Sequence, residues 1–287
     1  MLCQNPQGQD TKWACGRCKA CRINRKRDWI SRLLLESCAS SYAIFLTLTY
    51  RLVQYNEQGQ PTLDPEHIRN FIKRLRKKLP TDSLRYYAVG EYGTKRGRPH
   101  YHLLLFYNDD TPRGIASLAR AITASWTIGS LHVGTVTPDS IAYTVGYIVK
   151  GQTKKGHYKY GQYPEFARFS KGLGKGATDS ILDTSLDDFP DSYTLGGKIY
   201  PIPKYIRKIA KALGYDVNTP PKEKQFKKML NLLPASKSFQ EYDQKQHLLE
   251  SHRKDILAER EIIEHRRKRS TKLMELGITE RKKNETL

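Results

Sequence analysis

The triplet His100-Tyr101-His102 opens an apolar and aromatic run, HYHLLLFY at 100–107, that reads as a β-strand. Side chains alternate along a strand, so the two imidazoles point to one face, spaced to chelate one ion. Glu91 lies in RYYAVGEY at 85–92, which reads as a second strand. Between them Gly93-Thr94-Lys95-Arg96-Gly97-Arg98-Pro99 is a short basic turn, so the two strands should form a hairpin. Pairing Glu91 with either histidine brings its carboxylate to their face. Two imidazoles and a carboxylate leave open positions on a divalent metal for a phosphate oxygen. The bland account is that paired histidines decorate a sheet, and on these residues alone both accounts stay open.

A second constellation is Tyr143-Thr144-Val145-Gly146-Tyr147-Ile148-Val149-Lys150. On a helix, Tyr143, Tyr147 and Lys150 fall within an arc of roughly 60°. Ile141, Val145, Ile148 and Val149 cluster nearly opposite. Helical tyrosines usually pack in a core, but here the apolar stripe is elsewhere, which leaves surface tyrosines or a chemical role. A phenol with a pKa of about 10 is a weak nucleophile at neutral pH. An ammonium beside it, such as Lys150, favours the phenolate, and a metal makes a phosphate more electrophilic.

The elements that must position these groups are also readable. AIFLTLTY at 43–50 is a strand, with Thr47 and Thr49 on one face, where they support the site or contact substrate. Asp64-Pro65-Glu66 opens a helix with a cap, a first-turn proline and an early acid. Its Ile68, Phe71, Ile72, Leu75 and Leu79 repeat at helical spacing. A further helix starts at Thr111-Pro112, GSLHVGTV at 129–136 is a fourth strand, and a helix runs from Thr137-Pro138-Asp139 to about Lys150. The order β-α-β-β-α-β-α predicts an α+β fold, an antiparallel sheet with helices on one side. Residues 151–200 read mainly as loops. The expected organisation is a Cys-rich basic segment at 1–40, a catalytic domain at 41–152, a Gly/Tyr/Lys-rich packing and DNA-contacting region at 153–239, and a charged helical tail at 240–287.

The chain has 287 residues, and 50 Lys and Arg against 29 Asp and Glu give a net charge of +21. That excess points to a polyanionic partner, nucleic acid first. With 38% hydrophobic residues the chain is globular rather than disordered. No apolar run reaches the roughly 20 residues that span a bilayer, and Met1-Leu2-Cys3-Gln4-Asn5 lacks the apolar core of a signal peptide. Cys3, Cys15, Cys18 and Cys21 supply four thiolates for one tetrahedral Zn2+. An iron–sulfur cluster and unmetallated thiols are the alternatives; the fourth cysteine lies upstream and Arg22 follows Cys21, which disfavours the cluster. Cys38 reads as a separate buried thiol.

FLTLTY at 45–50, the His-Tyr-His triplet and the Tyr-x-x-x-Tyr-x-x-Lys helix resemble motifs I, II and III of the HUH endonucleases, in that order. These are rolling-circle replication initiators, and the doubled tyrosine is most similar to the bacteriophage branch. The cysteine block followed by basic helix resembles the replication initiators of gokushoviruses, single-stranded DNA phages of the Microviridae. The likeness spans roughly half the chain. The middle of the triplet, usually bulky and aliphatic, is Tyr101 here, on the face away from the histidines.

The resemblance implies an HUH/RRM-like palm in which His100, His102 and Glu91 hold Mg2+ or Mn2+. It implies that Tyr147, spaced with Lys150, attacks the scissile phosphate to leave a 5′-phosphotyrosine and a free 3′-OH. Tyr143 would act in the alternate round. It also implies single-stranded or supercoiled origin DNA as substrate, a host helicase and polymerase as partners, no membrane, and the host bacterial cytoplasm as location. The competing reading is a non-enzymatic nucleic-acid-binding or packaging protein, which has no use for such a site. A His-triad nucleotide hydrolase expects a third histidine where Leu104 stands.

Three weaker signals remain. Tyr158, Tyr160, Tyr163, Phe166 and Phe169 interleave with Lys154, Lys155, Lys159, Arg168 and Lys171, which suits single-strand binding or an ordinary packed loop equally. Gly172-Leu173-Gly174-Lys175-Gly176 lacks Walker A spacing, so ATP binding is rejected. His132, His157 and the tail histidines read as incidental.

Overall fold

A computed structural model describes residues 2–9, 12–79, 83–94, 96–109, 111, 114–153, 161–182 and 189–217, with the isolated positions 258, 261 and 268. Tyr158, Tyr160, His157, the lysines at 154, 155 and 159, and nearly all of the tail expected at 240–287 lie outside the described residues, as do the side chains of 148–153. The chain divides into two compact units. Arg25–Asp183 with Ser192–Ile209 holds the sheet, and Met1–Asn24 with Thr184–Asp191 and Ala210–Leu287 holds the cysteine cluster.

In chain order the elements are α1 (Lys19–Cys38), β1 (Tyr42–Thr49), α2 (Pro65–Lys78), β2 (Arg85–Tyr92), β3 (Pro99–Tyr107), α3 (Gly114–Ser125), β4 (Leu131–Thr135) and α4 (Pro138–Thr153). Then come β5 (Phe166–Phe169), a 3-10 turn at Lys175–Ala177, α5 (Thr178–Leu182), β6 (Ser192–Leu195), β7 (Lys198–Pro201) and α6 (Lys204–Ala212). The fold is α+β, with an antiparallel sheet in the order β4-β1-β3-β2-β5. Among the described residues no helix is long and apolar enough to cross a membrane.

Helices cover both faces of the sheet, not one. β3 is apolar on both sides: Tyr101, Leu103, Leu105 and Tyr107 pack with α2 and α3, while Leu104 and Phe106 pack with Leu33 and Leu34 of α1 and Ile141 and Val145 of α4. A central strand with no polar face needs a layer on each side. On the first face α2 starts where the Asp64 carboxylate accepts from the Glu66 amide, and Ile68, Phe71, Ile72 and Leu75 are buried as their spacing requires. The hydroxyl of Tyr101 donates to the Asp64 carbonyl and also meets that of Tyr50, tying the middle strand to the cap of α2.

The stretch expected to be loops contains a fifth strand and a separate hairpin. β5 is only four residues, too short to show a period, and it forms because β2 offers an unpaired edge. β6 and β7 turn through Gly196 and Gly197, both at positive φ (55° and 72°), a two-glycine hairpin turn that the sequence does advertise. Within the same unit this hairpin is tied to α1 by Ser31, whose hydroxyl donates to the Pro201 carbonyl at 2.6 Å. Cys38 is exposed rather than buried, because it ends α1 beyond Leu33, Leu34 and Leu35, the residues that pack inward.

Candidate active site

The sheet register brings the predicted groups together. Across β2–β3, His100 stands opposite Glu91; across β1–β3, Thr49 stands opposite His100 and Thr47 opposite His102. All lie on the face covered by α4. Glu91 Oε1 is 2.7 Å from His100 Nε2 and 3.0 Å from His102 Nε2. Glu91 and His102 are buried.

The outward nitrogens are held as well. His100 Nδ1 donates to the Arg98 carbonyl at 3.1 Å, and His102 Nδ1 lies 3.0 Å from the Thr47 hydroxyl. Phe45 stacks on His102 at 5.5 Å between centroids. These contacts aim both Nε2 atoms at one carboxylate oxygen, the usual way that supporting groups orient metal ligands.

Burial works against charge on Glu91, but hydrogen bonds and charge from His100 and His102 outweigh it and hold the carboxyl below its ordinary value. Burial also opposes the His100 cation, yet Glu91 and the Arg98 carbonyl raise its pKa. The trio therefore shares positive charge around one oxygen, which a divalent cation can replace. One oxygen and two nitrogen donors, each lying within 4.8 Å of the others, form a donor set suited to such an ion.

The tyrosines stand over the same histidine. α4 begins right after β4 at a reciprocal cap, Ser140 N to Thr137 Oγ1 at 3.1 Å and Thr137 N to Ser140 Oγ at 2.8 Å. Ile141 and Val145 are fully buried, and this seats the helix on the sheet. Tyr143 meets the His102 ring edge-on at 5.2 Å, Tyr147 lies nearly parallel to it at 5.9 Å, and the two phenol rings are 5.0 Å apart. Tyr143 is half exposed and Tyr147 partly buried. Burial first, then hydrogen bonding with Tyr143 and the nearby Glu91 charge, push the Tyr147 phenol above its ordinary range. Without a cation it stays protonated. The Lys150 backbone continues α4, but its side chain is outside the described residues.

In the other unit the four cysteines converge. Cys3 and Cys18 Sγ are 3.9 Å apart, as are Cys15 and Cys21, and all four sulfurs lie within 4.8 Å of one another. Four thiolates about 2.3 Å from one zinc would be separated by about 3.8 Å. Backbone N–H groups point at the sulfurs: Cys15 to Cys3 at 3.3 Å, Cys18 to Cys15 at 3.4 Å and Cys21 to Cys18 at 3.4 Å. Burial opposes ionisation of Cys18, but the Cys21 and Gln4 amides and neighbouring thiols bring it down to about 6. Burial and the thiols of Cys18, Cys3 and Cys15 push Cys21 up to about 12. The arrangement is one in which several sulfurs want to ionise and the last resists until a cation arrives.

Several residues near the site were not anticipated. Arg98 contributes its carbonyl to His100 while its guanidinium holds the Tyr50 carbonyl. His132 pairs with Thr47 across β1–β4 and so shares the histidine face, exposed on the edge strand; the alternation of LHVGT could have placed it there. Of the aromatic–basic stretch, Phe169 stacks on Tyr87 and Trp29, and Phe166 packs on Tyr101 and Tyr163. These two rings are thus spent on packing. The glycine loop also has a structural use: the Gly174 amide donates to the buried Glu36 carboxylate at 2.5 Å, and Leu173 is fully buried.

Residues 43–152 match a family of phage proteins described as Replication-associated protein ORF2. The chain is similar to Replication-associated protein ORF2 of Spiroplasma virus 4, 36% identical over 176 residues, 56% of this chain and 55% of that protein. It is similar to Replication-associated protein VP4 of Bdellovibrio phage phiMH2K, 33% identical over 162 residues and 47% of each chain. Replication-associated protein ORF4 of Chlamydia phage 1 is 28% identical over 156 residues, 47% of this chain and 37% of that one. The chain thus spans about half the length, or less, of these relatives. No solved structure matches. The resemblance to Microviridae-type rolling-circle initiators, drawn from three short motifs, is borne out.

Proposed function

We propose, from this likeness to the replication-associated proteins of small single-stranded DNA phages, that the chain initiates replication by cutting and rejoining DNA at a metal-assisted tyrosine pair. The observation that carries the reading is the packing of Tyr143 and Tyr147 on His102, whose Nε2 shares the Glu91 oxygen with His100. A nucleic-acid binder needs charge and aromatic surface, but it gains nothing from burying a carboxylate between two imidazoles beneath two phenols.

His100, His102 and Glu91 would hold Mg2+ or Mn2+, and the two imidazoles favour Mn2+ over the harder Mg2+. Once bound, such an ion polarises the scissile phosphate and stabilises charge developing on its oxygens. Thr47 and Arg98 keep the Nε2 lone pairs directed inward. Tyr147, beside Lys150 in sequence, attacks phosphorus: its oxygen–phosphorus bond forms, the bond to the 3′-oxygen breaks, the phenol loses its proton to solvent, and the departing 3′-oxygen takes one up. The product is a 5′-phosphotyrosine and a 3′-OH that a host polymerase extends. After a round of synthesis Tyr143 cuts the new junction, and the 3′-OH so released attacks the first phosphotyrosine, closing the circle and restoring Tyr147.

The thiolates of Cys3, Cys15, Cys18 and Cys21 would bind a structural Zn2+, with Arg17, Lys19 and Arg22 beside it facing DNA. The substrate is single-stranded or supercoiled origin DNA, and the site of action is the host bacterial cytoplasm together with host helicase and polymerase. The second reading, a non-enzymatic packaging or binding protein, is favoured by the charge of +21 alone. Denaturing electrophoresis after incubation with origin single strands and Mn2+ decides between them: a DNA-linked band supports the enzyme, and binding without any such band supports the packaging protein.

A further inference from the structure

The order of groups along β3 is asymmetric. Leu104 and Phe106 lie under α4, His102 meets the tyrosines, and His100 comes next, toward the turn that joins β2 to β3. At that end a cleft of about 470 Å³ is lined by Thr49, Gly93, Thr94, Arg96, Arg98 and His100. The volume falls in the range of about 300–1,000 Å³ usual for small-ligand pockets.

The cleft has a defined frame. Gly93 N donates to the Arg98 carbonyl at 2.9 Å and Gly97 N to the Gly93 carbonyl at 2.8 Å, with Gly97 at φ 62°. Gly93 leaves room toward the metal ligand, since a Cβ there would stand 3.8 Å from His100 Cε1. Arg98 is committed to the Tyr50 carbonyl. Arg96 is exposed and makes no hydrogen bond or ion pair among the described residues. An uncommitted guanidinium on the wall of a cleft that opens onto a metal ligand is suited to a phosphate.

In displacement at phosphorus, attacking and departing oxygens stand on opposite sides. If the phenol oxygen arrives from the His102 side, the departing 3′-oxygen faces His100 and the cleft. We infer that this cleft seats the nucleotide carrying the departing 3′-oxygen, with its own 5′-phosphate on Arg96; the inference rests on the nicking reading above. Such a seat keeps the freed 3′-OH beside the metal ligands, where rejoining needs it. Arg96 is then a positioning residue that sets which phosphate comes under the tyrosines.

A deoxynucleoside 5′-monophosphate is this nucleotide in isolation, so the test needs neither origin sequence nor cleavage. The full chain is titrated with each of the four in the presence of Mg2+, and amide chemical shifts are followed by NMR. The amides of Gly93, Thr94 and Gly97 should shift. The dissociation constant should rise at least tenfold in Arg96→Gln and recover in Arg96→Lys, and deoxynucleosides and inorganic phosphate should each bind more weakly. Unmoved amides, an Arg96→Gln variant that binds like wild type, or inorganic phosphate binding as tightly as the nucleotide would overturn the assignment. Nicking by the same preparations reports separately on the tyrosine chemistry.

Discussion

The ring of Tyr147 lies nearly parallel to that of His102, with centroids 5.9 Å apart and planes 18° from each other. A residue from the last long helix of the sheet unit is thereby stacked on the central strand, at the ring whose Nε2 shares the buried oxygen of Glu91. Nucleophile and metal ligand are in contact before any substrate arrives, which lowers the ordering that the reaction must impose.

If Glu91, His100 and His102 hold the catalytic ion, removing a ligand should abolish chemistry and spare binding. His102→Ala and excess chelator should each lower the nicking rate at least about a hundredfold, since metal polarisation supplies several kcal/mol. Single-strand affinity by fluorescence anisotropy should change little.

Thr47 acts one step further out. Thr47→Val removes the oxygen facing His102 Nδ1 while keeping the strand, and should weaken Mn2+ binding about 10–100-fold in calorimetry. Unchanged affinity would show that the imidazole is oriented by packing on Phe45 instead.

The hairpin with its three ligands was legible because strand alternation and a short basic turn leave little choice of face. The tyrosine stripe was legible because 143 and 147 differ by one helical turn. Less could be read where the cause is tertiary. β5 is four residues recruited by the open edge of β2, and the second helical layer follows from Leu104 and Phe106 facing opposite to Leu103 and Leu105. Cys38 looked buried from its apolar neighbours, but it falls past the inward-packing turns of α1. The Arg96 cleft exists only because Gly93 and Gly97 close a particular loop.

Gly129 offers a backbone test of site support. A Cβ there would stand 1.8 Å from the Thr49 carbonyl oxygen and 2.7 Å from Tyr50 Cα, so the end of β1 beside His100 would have to move. Gly129→Ala should destabilise the fold by about 1–3 kcal/mol in denaturant unfolding. It should also slow nicking by any protein that remains folded.

For the cysteine cluster, elemental analysis of protein purified without added metal should find about one zinc per chain, as four thiolates require. Cys18→Ser should lose that zinc. A folded, zinc-free wild-type protein would rule the site out.

The most direct measurement is peptide mapping of the covalent DNA adduct by mass spectrometry in wild type, Tyr147→Phe, Tyr143→Phe and the double variant. DNA should be found on Tyr147 in wild type. Tyr143→Phe should nick but circularise poorly, Tyr147→Phe should lose most initiation, and the double variant should form no adduct. DNA still attached to the double variant would place the nucleophile elsewhere and contradict the tyrosine-pair account.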